Sequence, residues 1–202
     1  MSNLQEIPLF PLNSVLFPKG KLTLQIFERR YLDLVSRSLK SDTGFGITLL
    51  KEGGEVAAPG RKQTIHDMGT YARIVDWDQL PNGLLSIIVE GVSKFRIKEH
   101  WIADSDLLMA RVCFSETEIS GERSIPVQDE CSDMTELLHV LEKHPAVQDM
   151  NLQIDYENLW ELGWRLSELI PVSLEKKQEL LELDDPWERI RNIEATVHFL
   201  EK

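Results

Sequence analysis

Residues 7–35, IPLFPLNSVLFPKGKLTLQIFERRYLDLV, decide the fold because they read as one rigid unit. Pro8 and Pro11 bracket a short apolar run, which suits an edge or barrel-rim strand, since proline cannot donate to a ladder. Pro18-Lys19-Gly20 forces a tight turn, proline presetting φ and glycine relieving the steric limit. Beyond it Leu22, Leu24 and Ile26 alternate with Lys21, Thr23 and Gln25, the period of a half-buried strand. At Glu28 the period changes, and Tyr31, Leu32, Val35 and Leu39 follow helical spacing. The segment is expected to run strand, turn, strand, helix. It contains no catalytic constellation.

Outward from this unit the pattern stays mostly β to about residue 115. Residues 45–51 form an apolar run that ends at the Gly53-Gly54 turn. Residues 70–77 alternate as a strand, and Asn82-Gly83 closes a hairpin onto a returning strand at 84–89. Gly91 marks a bend or bulge before residues 92–98, and 108–114 close the series. Six or seven short strands with one early helix predict a strongly bent sheet or partly closed barrel. Past Ser115 the chain turns helical after a polar connection at 116–128. Asp133 and Glu136 have capping-box spacing, Leu159, Leu162, Leu166 and Leu169 make an apolar stripe, and Pro171 stops it. Ser173 is a plausible cap for a short helix reaching Leu183, and Asp185-Pro186 with Glu188 opens the last one. That helix puts Trp187, Ile190, Val197 and Leu200 along one face, with Ile193 between them. Trp160 and Trp164, four apart beside the leucine stripe, are expected to seal a seam between the helical and β parts.

Charge divides the chain at the same place. Residues 1–115 hold 14 Lys/Arg against 13 Asp/Glu, while 116–202 hold 8 against 21, for a net charge of −12 overall. A surface this acidic repels phosphate at long range and argues against general nucleic-acid binding. With 42% hydrophobic and 28% charged residues the composition is that of a soluble globular protein. The first ten residues lack a basic, then apolar, leader pattern, and no apolar run reaches the length of a membrane span. Cys113 and Cys131 cannot form a disulfide framework, so a reducing cytoplasm is the expected compartment.

The opening unit also carries a family resemblance. Pro8-Leu9-Phe10-Pro11-Leu12, Leu16-Phe17-Pro18-Lys19-Gly20, Leu22-Leu24-Ile26-Phe27-Glu28 and Arg30-Tyr31 resemble the start of the N-terminal, substrate-recognition domain of Lon proteases. Gly69-Thr70-Tyr71-Ala72-Arg73-Ile74, Ile88-Val89-Glu90-Gly91-Val92 and Phe95-Arg96-Ile97 extend the resemblance, as does the helical last third. One departure is Arg29, where many stand-alone relatives have proline. The resemblance implies an α+β fold: a β-rich pseudo-barrel related to PUA domains, followed by a helical bundle. We place the boundary between residues 1–117 and 118–202.

The chemistry of a full Lon enzyme is not expected here. The nearest approach to a phosphate loop, residues 54–62 (GEVAAPGRK), has five residues between its glycines, Arg61 at the lysine position and no Ser/Thr directly after it. Gly91-Val92-Ser93-Lys94-Phe95 lacks the second glycine of a nucleophile elbow, and neighbours on a strand point to opposite faces. The five histidines are scattered and the two cysteines lack a Cys-x-x-Cys partner, so neither metal nor other cofactor is expected. Lon-type proteolysis uses a serine and a lysine from a separate domain, for which 202 residues leave no room.

Two features could serve binding. Lys94, Arg96 and Lys98 alternate with Phe95 and Ile97, which predicts a positive stripe on one strand face. Phe10, Phe17, Trp77 and Leu80 lie near turns; packed they are core, and exposed together they would hold extended apolar polypeptide. The expectation is a non-catalytic module that takes up unfolded or exposed polypeptide segments through an open sheet edge, with a separate protease or chaperone as a further partner. The alternative is a PUA-like module that binds RNA or a small ligand through residues 94–98.

Overall fold

The computed structural model describes residues 4–55, 63–115, 124–150 and 152–200. The glycine-rich loop at 54–62 and the connection at 116–128 therefore fall largely outside the described residues. The chain divides into two compact units, Met1–Ile119 and Ser120–Lys202.

The first unit holds β1 (Leu4–Leu12), β2 (Lys21–Ile26), α1 (Arg29–Ser41), β3 (Phe45–Glu52), β4 (Thr64–Gln79), β5 (Leu85–Ile102) and β6 (Leu108–Phe114). Strand order is β2-β5-β4-β3-β1-β6, and β6 pairs with β5 as well as β1. Five strands thus close a ring, and β2 stands outside it. The 18-residue β5 makes this possible. Along one side it runs beside β4; along the other, residues 85–90 take β2 and residues 95–102 take β6. Two long strands replace the uniformly short ones that the turn spacing suggested. Among the described strands only β1 and β3 pair in parallel, and the chain between them supplies the long crossover such a pair requires.

Gly91 sits where β5 passes from one partner to the next. Opposite Tyr71 and Ala72 the ladder skips Val92, a bulge at the expected bend. The segment between β1 and β2 crosses here: the Lys19 N–H donates to the Gly91 carbonyl (2.7 Å), and the Thr70 hydroxyl donates to the Leu16 carbonyl (2.5 Å). A Cβ at Gly91 would collide with the Phe17 carbonyl oxygen, so only glycine fits.

Helix α1 buries Tyr31, Leu34, Val35 and Ser38 against a core that includes Phe10, Leu12, Leu16, Ile26, Phe45 and Ile87. Leu32 and Leu39, expected on that face, are exposed. The corner at Phe27 and Glu28 turns the helix so that the stripe runs 31-34-35-38, a phase that spacing alone leaves free.

In the second unit a 3₁₀ turn, Asp129–Cys131, leads into α2 (Ser132–Glu142), followed by α3 (Pro145–Gln148), α4 (Leu159–Leu169), α5 (Leu174–Glu182) and α6 (Pro186–Leu200). The capping box at Asp133 does not form: the 3₁₀ turn carries the helix start back to Ser132 and leaves Asp133 inside the first turn. The other caps are as expected. The Ser173 hydroxyl accepts from the Lys176 N–H (3.2 Å), and the Asp185 carboxylate from the Trp187 N–H (2.9 Å). Leu159, Leu162 and Leu166 are fully buried, and α4 ends before Pro171.

A polar core joins these helices. The Arg165 guanidinium meets the Glu168 carboxylate at 2.7 Å, and the Lys177 ammonium donates to the Glu168 carbonyl (2.6 Å). Buried Arg189 of α6 donates to the Leu180 and Leu183 carbonyls at 3.0 and 2.5 Å, closing the end of α5. Its guanidinium also lies 5.5 Å from the Trp160 ring centroid, a cation–π contact. Trp160 and Trp164 are both buried, with ring centroids 5.8 Å apart.

Candidate functional site

The antiparallel ladder between β2 and β5 decides which backbone groups of β2 remain open. The Gly91 N–H donates to the Gly20 carbonyl (2.9 Å), so Gly20 opposite Gly91 is a hydrogen-bonded site. Bonded sites alternate in an antiparallel pair, and the register runs without a shift from Lys21 opposite Glu90 to Ile26 opposite Leu85. Leu22, Leu24 and Ile26 therefore direct their N–H and C=O groups to β5. Those of Thr23 and Gln25 face away, on an edge that no described strand covers. Four hydrogen-bonding groups stand ready there.

A groove of about 470 Å³ runs along this edge. Leu22, Thr23, Leu24, Gln25 and Ile26 all line it, the inward-facing leucines and the outward-facing polar residues alike. Only a strand seen edge-on presents both sets. Across from β2 the lining comes from Phe10 and Leu12 of β1, which at this point pair on their other side with β3. Helix α1 contributes Tyr31, stacked on Phe10 with ring centroids 3.8 Å apart. Phe27, 56% exposed, stands at one end.

Charge in the groove is of one sign. Glu28 and Glu55 line it, and no lysine or arginine does among the described residues. The Glu28 carboxylate accepts from Arg30 Nε at 3.1 Å, and Arg30 also packs 4.4 Å from the Tyr31 ring centroid. The Glu55 carboxylate accepts from the Asn13 N–H at 2.6 Å. Burial pushes the Tyr31 phenol up to about 12; Arg30 works against that rise, and Glu28 and Glu55 add to it.

The sequence-based candidates separate. Phe10 belongs to the groove, whereas Phe17 is fully buried in the core away from it. Trp77 is 59% exposed near the end of β4 and Leu80 is half-buried in the following turn; neither lines the groove. The three-cation stripe does not exist: Arg96 and Lys98 are exposed, but Lys94 is 0% exposed. Its ladder partner Thr70 is buried as well, because the segment between β1 and β2 folds across the sheet here. Alternation within β5 carries no sign of that roof. Leu22, Leu24, Phe27, Glu28 and Glu55 were absent from the sequence-based set. The signal for the first three was present, an apolar alternation isolated between a proline turn and a helix.

Among the described residues, no three His, Cys, Asp or Glu side chains converge as a metal site, and no helix is long and apolar enough to cross a membrane.

Residues 6–197 match the family described as the ATP-dependent protease La (LON) substrate-binding domain. The chain belongs to that family. This Lon substrate-binding domain is 29% identical over 193 residues to Lon protease 2 of Myxococcus xanthus, covering 93% of this chain and 23% of that protein. It is 30% identical over 189 residues to Lon protease of Cytophaga hutchinsonii, covering 91% and 23%. The chain thus spans about a quarter of the length of the Lon proteases it matches. The crystal structure of a Lon N-terminal domain protein from Xanthomonas campestris superposes with a TM-score of 0.74 at 30% identity, over 95% of this chain and 98% of that one. The N-terminal domain of Mycobacterium avium complex Lon protease shares the fold, with a TM-score of 0.60 at 16% identity over 94% and 96%. The α+β architecture expected from the sequence, a β-rich part followed by helices, is the architecture of these domains.

Proposed function

We propose that this domain recognises polypeptide without chemistry of its own, by adding an extended segment of an unfolded or exposed client to the open edge of β2. The observation that carries the reading is the pairing of unused backbone groups on Thr23 and Gln25 with an apolar groove alongside them. Main-chain hydrogen bonds to the two residues supply affinity that any sequence can use. Alternate client side chains then fall onto Leu22, Leu24, Phe10 and Tyr31, which favours apolar residues at every second position. The family's own description, a substrate-binding domain, agrees with this role. A separate protease or chaperone would then act on what the domain holds.

Thr23→Pro tests the reading. Proline removes the outward N–H of Thr23 and leaves the ladder to β5 intact, because an edge strand tolerates proline where the N–H faces solvent. The variant should fold normally and bind a reduced, carboxymethylated client at least tenfold more weakly than the unmodified protein. Leu24→Pro instead breaks a β5 bond and should lower stability. An unmodified protein that forms no complex with the unfolded client at about 50 µM would refute the proposal. RNA binding through β5 is not favoured, since burial of Lys94 leaves only Arg96 and Lys98 on that face.

A further inference from the structure

We infer that the β2 groove selects client segments that carry a lysine or arginine beside the apolar stretch, the cation seating at the Glu28–Glu55 end. This rests on the strand-addition reading and adds a chemical preference to it. Among the described residues the groove is otherwise lined by apolar and neutral polar side chains, so Glu28 and Glu55 set the sign of the charge they present. Arg30 offsets one of them through its contact with Glu28. One negative charge remains, enough for a single cation. Glu55 is exposed, so its carboxylate is within reach of a client side chain.

A third group points the same way. Tyr31 lines this side of the groove, and its buried hydroxyl, close enough to feel Glu28 and Glu55, has no hydrogen-bond partner. A buried polar atom left unsatisfied is costly, and its oxygen can accept from an ammonium or guanidinium just as the two carboxylates do. Three acceptors beside an apolar trough describe a receptor for a basic residue flanked by apolar ones. An acidic segment meets like charge and is disfavoured by the same geometry.

Three labelled twelve-residue peptides test this on the full chain. They share a core of alternating valine and serine and differ only at both ends, where they carry lysine, serine or glutamate; placing the residue at both ends covers either strand direction. At about 50 mM salt, fluorescence anisotropy should rank lysine above serine above glutamate, with about three- to fivefold between steps. At about 500 mM the ranking should collapse towards a single affinity, because the pair is near the surface and screened. Glu55→Gln should bring the lysine-to-serine ratio close to one. Equal affinities of the three peptides at low salt would overturn the charge preference while leaving strand addition standing. Failure of all three to bind would remove strand addition itself.

Discussion

Tyr31 shows how much one buried group can be made to reveal. Its folded pKa, about 12, lies above the ordinary value of 10.0, so the folded protein holds that proton more tightly than the unfolded chain. The associated stability is complete below pH 10 and is lost as pH rises through about 12. Tyr31→Phe should flatten the part of the alkaline fall in denaturant midpoint that belongs to this residue. At neutral pH the variant should be at least as stable as the parent, since it removes a hydroxyl that has no partner. Glu168 behaves in the same sense at the acid end: burial raises its pKa despite Arg165 and Lys177, so its contribution falls as pH climbs past the ordinary carboxylate value. Gly91 makes a steric prediction. Gly91→Ala drives a methyl group into the Phe17 carbonyl and should cost about 1–3 kcal/mol, read as a lower denaturant midpoint. That glycine was legible in the sequence as a bend, but the reason for it was not, because Phe17 is 74 positions away and only the fold brings its carbonyl there.

Elements were legible where a local rule has one solution. The last helix is such a case: Asp185, Pro186 and Glu188 name its start, and the Asp185 carboxylate does cap it. Asp185→Ala should cost the helical unit about 1 kcal/mol, measurable as a shift in its thermal midpoint. Elements were misread where two solutions compete. Asp133 fits a cap, but a 3₁₀ turn upstream starts the helix first and the side chain is left in the first turn. In α1 the helical period is clear but its phase is not: the spacing puts Leu32 and Leu39 on the inner face, whereas the helix exposes both and buries Leu34. The candidate site suffered most. A strand's edge status depends on which partners the rest of the chain supplies, and no pattern within 21–26 states that β5 will be its only neighbour among the described strands. Hence Phe10 was the one sequence-based candidate that the groove includes.

Across the whole molecule, charge is distributed unequally, with 21 acidic against 8 basic residues in 116–202. Self-repulsion of that kind weakens a compact state and is relieved by counter-ions. Raising salt from about 20 to about 200 mM should lift the midpoint of the helical unit by about 3 °C and the nearly neutral β unit by less, a difference that calorimetry can resolve. The shared side of β5 has a mechanical outcome. Because β2 and β6 occupy successive stretches of it, a load applied at residue 21 or 26 can unzip β2 while the five-stranded ring keeps every rung. A client added to β2 as proposed and then pulled away would thus peel its own docking strand before threatening the ring, and the strand could snap back once released. Amide protons of Leu22, Leu24 and Ile26 should accordingly exchange with deuterium sooner than those of Phe95 and Ile97.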